Sequence, residues 1–360
     1  MTAAAYFAHD YEEAVAKFRA AAAKAKARRV VHRNPYATGP GGRVLETDVA
    51  ILGPDDAPNT VLITSATHGV EGFAGSGAEV AMLETGLLAK AGRNTKIVIV
   101  HALNPYGFAW LRRVNEDNVD LNRNSVDHGA PYPRNAGYEE LHEAIAPNVW
   151  GDGVIAPHNA RLKDYAIKNG AFALQGAISA GQYSHPDGLY FGGHKEAWSI
   201  GLLRHIVRRE LAHAKRTIFL DFHTGLGAFG DVELISEYAA EDPAYTRAKS
   251  WWGEQVKTTA TGESLSAHLT GTLDTLVPSL LPHAEVTAIA LEYGTYPVDA
   301  VFRALRADNW LHLHANPEGP EAPAIKAEIR QAFYPDTAEW KARVWEQAEV
   351  VVAKSLAVLG

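Results

Sequence analysis

The chain has 360 residues, 47% of them hydrophobic and 21% charged, with a formal charge of −8. That balance suits a soluble protein with a substantial core, and the negative charge argues against nucleic acid as partner, because phosphate binding needs a concentrated basic surface. The absence of cysteine excludes disulfides, thiol nucleophiles and thiolate metal sites together, so any metal must rest on histidine and carboxylate.

Along the chain, His9, Asp10, Glu12 and Glu13 stand where a secretory signal would be apolar, so no export signal is read and a cytoplasmic location is expected. No apolar run reaches the ~18 residues of a membrane span. Residues 10–28 read as an amphipathic helix with Tyr11, Val15, Phe18 and Ala22 on one face. The apolar runs Val61–Ala66, Lys96–Leu103, Thr217–His223, Val232–Ser236 and Val286–Tyr293 read as strands, several with little polar alternation, as a sheet covered on both faces requires. Helical patterns follow at about 75–91, 197–214, 243–258, 298–313 and 336–358. This alternation predicts an α/β fold with a largely parallel or mixed sheet. Residues 124–196 are rich in Gly, Pro, Asn, His and Tyr without clear periodicity, and are expected to form an irregular active-site wall within a single domain spanning 1–360.

Strand Val61–Ala66 runs into Thr67-His68-Gly69-Val70-Glu71-Gly72. A histidine and a glutamate three apart, just past a strand's carboxyl end, can turn toward one point in a sheet crevice, and Gly69, Gly72 and Gly75 would give the backbone freedom there. The spacing alone is weak, since His9 and Glu12 repeat it inside a helix, where a solvated pair is expected. His223, after the apolar stretch Thr217–Phe222, is the candidate third ligand, with Asp221 able to brace a neighbouring ligand. Taken alone, it could equally be a hydrogen-bonded strand-end histidine. Two histidines and a glutamate with an open fourth position are the pattern of catalytic zinc, although manganese, nickel and cobalt accept the same donors. Arg112, Arg113, Asn122 and Arg123 offer donors for a substrate carboxylate or a developing oxyanion, or else form an ordinary solvated loop. Glu292 ends an apolar strand and must be either paired or catalytic.

Other motifs carry less. Gly225-Leu-Gly227-Ala-Phe-Gly230 matches a dinucleotide fingerprint, but the following Asp231–Ser236 reads as a strand where that motif needs a helix. His142-Glu143 lacks a second histidine at Ala146, and Ser76 lacks the glycine that opens a nucleophile elbow. His312 and His314 read as surface or packed residues, and His185 as either a loop hydrogen bond or a substrate neighbour.

His68-x-x-Glu71, Asp120-Leu-Asn-Arg123, Asp221-Phe-His223-Thr and Leu291-Glu292-x-Gly resemble, in this order, the zinc carboxypeptidase superfamily, which includes the succinylglutamate desuccinylase and aspartoacylase branch. The stretches around Thr67–Phe73, Arg112–Asn124 and Gly181–Leu189 are similar to the DUF2817, M14-like family. The resemblance covers residues 60–300. It implies a three-layer α/β/α sandwich on a mixed sheet of about eight strands, one zinc ion on His68, Glu71 and His223, and Glu292 as general base and then proton donor. It implies Arg113 as the oxyanion group, with Arg112 beside it as the competing assignment, and Asn122 and Arg123 as the clamp on a terminal carboxylate. The mobile tyrosine of digestive carboxypeptidases has no clear counterpart; Tyr183, Tyr190, Tyr293 and Tyr296 are the candidates, with Tyr183 and Tyr296 taken as substrate neighbours. The expected substrate is a small molecule with a free carboxylate: a short peptide for a peptidase, or an N-acyl amino acid for a deacylase. A non-catalytic metal- or ligand-binding relative is the third reading. Neither membrane nor nucleic acid is an expected partner, and self-association is left open.

Overall fold

A computed structural model describes residues 2–360. Strands β1 (Arg28–Arg33), β2 (Glu46–Leu52), β3 (Asn59–Thr64), β4 (Thr95–His101), β5 (Arg216–Thr224), β6 (Val232–Ser236), β7 (Val256–Thr258) and β8 (Glu285–Tyr293) form one eight-stranded sheet in the order β1-β2-β4-β3-β5-β8-β6-β7. The central strands β4, β3, β5 and β8 are parallel, while β2 joins β4 and β6 joins β8 in antiparallel fashion. The sheet is therefore mixed, as expected. Helices α1 (Tyr11–Lys24), α2 (Gly72–Thr85), α3 (Pro105–Ala109), α4 (Ala136–Ile145), α5 (Asp152–Asn169), α6 (Ala171–Ser179), α7 (Trp198–Glu210), α8 (Pro243–Trp252), α9 (Leu273–Leu280), α10 (Val298–His314), α11 (Ala322–Phe333) and α12 (Ala338–Leu359) cover it.

Alternate residues of the buried strands feed two cores, because successive side chains point to opposite faces. Val61, Ile63, Ile97, Ile99, Ile218, Leu220, Ile289 and Leu291 meet α1, α2, α8 and α12 on one face. Leu62, Val98, Val100, Phe219, Val286 and Ala288 meet α7 and α9 on the other. From β3 the chain crosses through α2 to β4; from β4 it returns, past α7 on the opposite face, to β5 on the other side of β3. Connections that leave neighbouring strands in opposite directions open a crevice beyond their carboxyl ends. Here that crevice lies at the ends of β3 and β5. A third core of α4, α10 and α11 residues gathers around Val70, just beyond it.

The segment 124–196 differs from expectation, since it holds α4, α5 and α6. In α5 only Ile155 and Leu162 are buried and Pro157 lies inside the helix, so the usual apolar stripe is missing from the sequence. The helix expected over 243–258 stops at Trp252, where Gly253 at φ 88° turns the chain into β7. The glycines at 225, 227 and 230 all have positive φ and connect β5 to β6 without a helix, as the strand reading required. No helix among the described residues is long and apolar enough to cross a membrane.

Candidate metal centre

Past β3 the chain leaves the sheet at Ala66, whose φ of 57° is rare for a residue with a side chain, and presents His68 before the short turn Gly69–Glu71. That turn is fixed by backbone bonds from Gly69 N to Arg113 O (3.1 Å) and Val70 N to Arg112 O (2.8 Å). Gly69 is required for closeness: a Cβ there would sit 1.9 Å from the carbonyl carbon of Gly107. None of Gly69, Gly72 and Gly75 has positive φ, so the freedom expected of them is instead a need for small volume. Gly69→Ala is expected to destabilise the fold by about 2–4 kcal/mol, because backbone must yield on one side; urea denaturation checks this, and a variant as stable as the parent would contradict the packing argument.

His68 Nδ1 lies 3.0 Å from Glu71 Oε1, and His223 Nδ1 lies 3.1 Å from both His68 Nδ1 and Glu71 Oε2. The far nitrogens face carboxylates: His68 Nε2 is 3.0 Å from Asp120 Oδ1, and His223 Nε2 is 2.7 Å from Asp221 Oδ2. A proton on each Nε2, donated to its carboxylate, turns both Nδ1 lone pairs toward Glu71. Three acceptors converging at such distances repel one another unless a cation lies among them. Burial alone would keep His223 neutral, yet Asp221 and Glu71 hold it well above the usual histidine range, which is the same demand for positive charge seen in one residue. The donor set suits zinc: bonds of ~2.0–2.1 Å in a tetrahedron separate ligand atoms by ~3.4 Å, close to the spacing here. All three side chains are buried.

Glu292 is paired with His223 across β5 and β8. Partners in a parallel ladder project to the same face, so its carboxylate stands beside the ligand cluster. Burial and the Glu71 charge push it up to about 8, and Leu226 N donates to its Oε1 at 3.0 Å. Arg113 donates from Nη1 to Glu71 Oε1 (2.9 Å) and from Nε to Asp120 Oδ2 (3.0 Å), leaving further N–H groups free. Arg123, 2% exposed, gives its Nη atoms to the carbonyls of Asn122 and Ser179. Its Nε has no partner, and no carboxylate among the described residues forms an ion pair with it. Asn122 Oδ1 accepts from Leu273 N at 2.8 Å, which leaves Nδ2 as its outward donor.

The other candidates differ in what holds them. Arg112 is bound to Asp308 (3.1 Å) and Asn118 (3.0 Å), whereas its neighbour Arg113 bonds to Glu71. Tyr183 donates to Arg123 O at 2.6 Å and so supports the arginine's backbone, while Tyr296 accepts a hydrogen bond from Gln331 Nε2 and is partly exposed. His312 is packed against Lys326. Asp120 had no separate role in the sequence reading, yet it binds both His68 and Arg113; its separation of 52 residues from His68 hid this. The ring near both Arg113 and Arg123 is that of Tyr190, which the sequence placed behind Tyr183 and Tyr296. His142, His185 and Asp187 form a second cluster, but the two imidazoles are stacked at 3.7 Å with planes 12° apart. Stacked rings point their in-plane lone pairs side by side, away from a shared ion.

The architecture and the histidine–carboxylate cluster at its switch point define a carboxypeptidase-like fold. Bovine thrombin-activatable fibrinolysis inhibitor, solved in complex with tick carboxypeptidase inhibitor, superposes with a TM-score of 0.52 at 11% identity, covering 98% of each chain. Carboxypeptidase A from Helicoverpa armigera gives 0.49 at 15% identity over 90% of this chain and 74% of that one. Succinylglutamate desuccinylase from Chromobacterium violaceum gives 0.38 at 15%, over 84% and 74%; these last two matches are too loose to carry weight. At these identities the likeness is one of fold. The model of the family described as "Protein of unknown function (DUF2817)" matches residues 7–347, and the chain belongs to that family. A search of curated proteins returned no match.

Proposed function

We propose that this protein is a zinc-dependent hydrolase of amide bonds, carboxypeptidase-like, acting on small substrates with a free carboxylate. The observation that carries this reading is the convergence of His68 Nδ1, His223 Nδ1 and Glu71 beside a carboxylate, Glu292, that is not one of the ligands. A metal ion held by those three residues supplies Lewis acidity and makes nearby water a better acid. Glu292 takes the proton of the attacking water and returns it to the leaving amine. Arg113 offers its remaining N–H groups to the oxyanion that develops on the carbonyl. Arg123 and Asn122 Nδ2 hold the substrate carboxylate; a buried guanidinium without an acidic partner is costly alone and is relieved by an anion.

The test is a screen of dipeptides and N-acyl amino acids with zinc-loaded protein, repeated with chelator. Hydrolysis abolished by chelator and restored by zinc supports the reading; none with any substrate would sink it, and leave a ligand-binding protein of the same fold. Release of a C-terminal amino acid from peptides identifies a peptidase, and release of an acyl acid a deacylase. Arg123→Met is expected to raise KM for carboxylate substrates by about one to two orders of magnitude, since a charged hydrogen bond to an anion contributes ~1.5–3 kcal/mol; steady-state kinetics checks it, and an unchanged KM would remove Arg123 from the clamp.

A further inference from the structure

Leu111 adopts φ 52°, a conformation that residues with side chains rarely hold, and such strain persists only where the surroundings enforce it. The two residues that follow carry the metal turn on their backbone. Arg112 N donates to Gly107 O at 2.7 Å, while the carbonyls of Arg112 and Arg113 accept from Val70 N and Gly69 N at 2.8 and 3.1 Å. Their side chains take different partners. Arg113 reaches Glu71 and Asp120; Arg112 reaches α10, where Asp308 Oδ2 accepts from its Nε at 3.1 Å.

Both members of the Arg112–Asp308 pair are buried, and among the described residues no other carboxylate pairs with Arg112. The second oxygen of Asp308 accepts from Lys326 Nζ in α11, which lies 2.7 Å from His312 Nε2. Burial would raise the Asp308 carboxyl, yet Lys326 and Arg112 hold it below the usual carboxylate range, so the charge that grips Arg112 is present. A further bond from Arg112 Nη2 to Asn118 Oδ1 at 3.0 Å fixes the planar guanidinium at two points. The anchor in α10 and the carbonyl that holds Val70 thus belong to one residue.

We propose that Asp308 is a positioning residue: by gripping Arg112 from α10 it sets the backbone of Arg112 and Arg113, and with it the His68–Glu71 turn and the aim of Arg113. The inference rests on the proposed hydrolase reading. An arginine aimed at the oxyanion acts in the transition state, so displacing it lowers kcat and leaves KM nearly unchanged. A displaced turn weakens the hold on metal.

The experiment compares the zinc-loaded parent with Asp308→Asn, with Lys326→Met, and with Arg112→Met and Asp308→Leu combined. Zinc affinity is read by competition with a chromophoric chelator, kcat and KM by steady-state assay, and fold stability by urea denaturation in chelator. Expected for Asp308→Asn are a kcat about tenfold lower with KM within about threefold, and a zinc dissociation constant about tenfold higher. Lys326→Met removes the other partner of Asp308, and is expected to destabilise the fold while kcat, KM and zinc affinity stay near the parent's. The double change fills the space with apolar side chains and should recover stability, but neither kcat nor zinc affinity, because apolar contact has no direction. The proposal is overturned if Asp308→Asn keeps kcat and zinc affinity, if Lys326→Met loses them equally, or if the double change restores them. Should Asp308→Asn fail to fold, the double change decides. A parent that binds zinc without hydrolysing any substrate fails the hydrolase reading, and zinc affinity then decides the role of Asp308.

Discussion

Glu292→Gln is expected to lower turnover by about a thousandfold while metal content stays near that of the parent. Positioned general acid–base groups contribute ~10²–10⁴ in rate, and Glu292 is asked to serve twice, as base toward water and as acid toward the leaving amine. The substitution isolates this role. Glutamine keeps the length of the side chain and an oxygen able to accept from Leu226 N, the bond that holds Glu292 Oε1 at 3.0 Å, but it cannot accept the proton of water. None of the contacts among His68, Glu71 and His223 passes through it. Metal content by elemental analysis and kcat by steady-state assay are the two readouts. Full activity sinks the assignment, and loss of metal would make Glu292 a ligand instead. Without a metal, burial and the Glu71 charge put Glu292 at about 8; a nearby dication favours the carboxylate and draws that value down. The base works only when deprotonated, so activity falls as pH drops through this lowered value, and the acid limb of kcat/KM lies below pH 8.

The central strands and the clustering of His68, Glu71 and His223 were legible because each is encoded locally. Val61–Ala66, Thr217–His223 and Val286–Tyr293 are apolar runs that end at a polar residue, and a strand's end in an α/β sheet is where chemistry gathers. Residues 28–33 and 46–52 were not recognised as strands: β1 lies at the sheet's edge with an exposed, charged sequence, so its pairing with β2 depends on its neighbour. Helices α5 and α6 were missed for a related reason, since few of their side chains are buried and no apolar periodicity marks them. In the site, the choice between Arg112 and Arg113 could not be made from adjacent identical residues. What separates the two in the structure is their partners, Asp308 in α10 for Arg112 and Asp120 for Arg113, 196 and 7 residues away. Tyr190 was passed over for Tyr183 and Tyr296, because its place beside Arg113 and Arg123 goes with a backbone angle of φ 55°, which has no sequence signature.

Asp221→Asn is expected to weaken metal binding by about 10–100-fold, the usual cost of losing a carboxylate behind a ligating histidine. Asp221 occupies the same face of β5 as His223, two residues on, so its Oδ2 meets His223 Nε2 at 2.7 Å, and Thr64 and Thr67 hydroxyls hold it at 2.5 and 2.8 Å. The buried carboxylate fixes the histidine tautomer and makes Nδ1 a stronger donor to the ion. Asparagine retains an oxygen for His223 but loses the charge, and its amide nitrogen then meets the threonine hydroxyls, which can turn to accept. The fold should survive, and the weaker grip on metal should remain. At zinc concentrations far above the parent's dissociation constant, a 10–100-fold loss of affinity removes ~1.4–2.7 kcal/mol of ligand-derived stability. Thermal melts should therefore separate the two proteins in zinc and bring them together in chelator. An equal gap in both conditions would mean that Asp221 supports the fold and not the metal, because only a contribution made through the bound ion disappears when the ion is withdrawn.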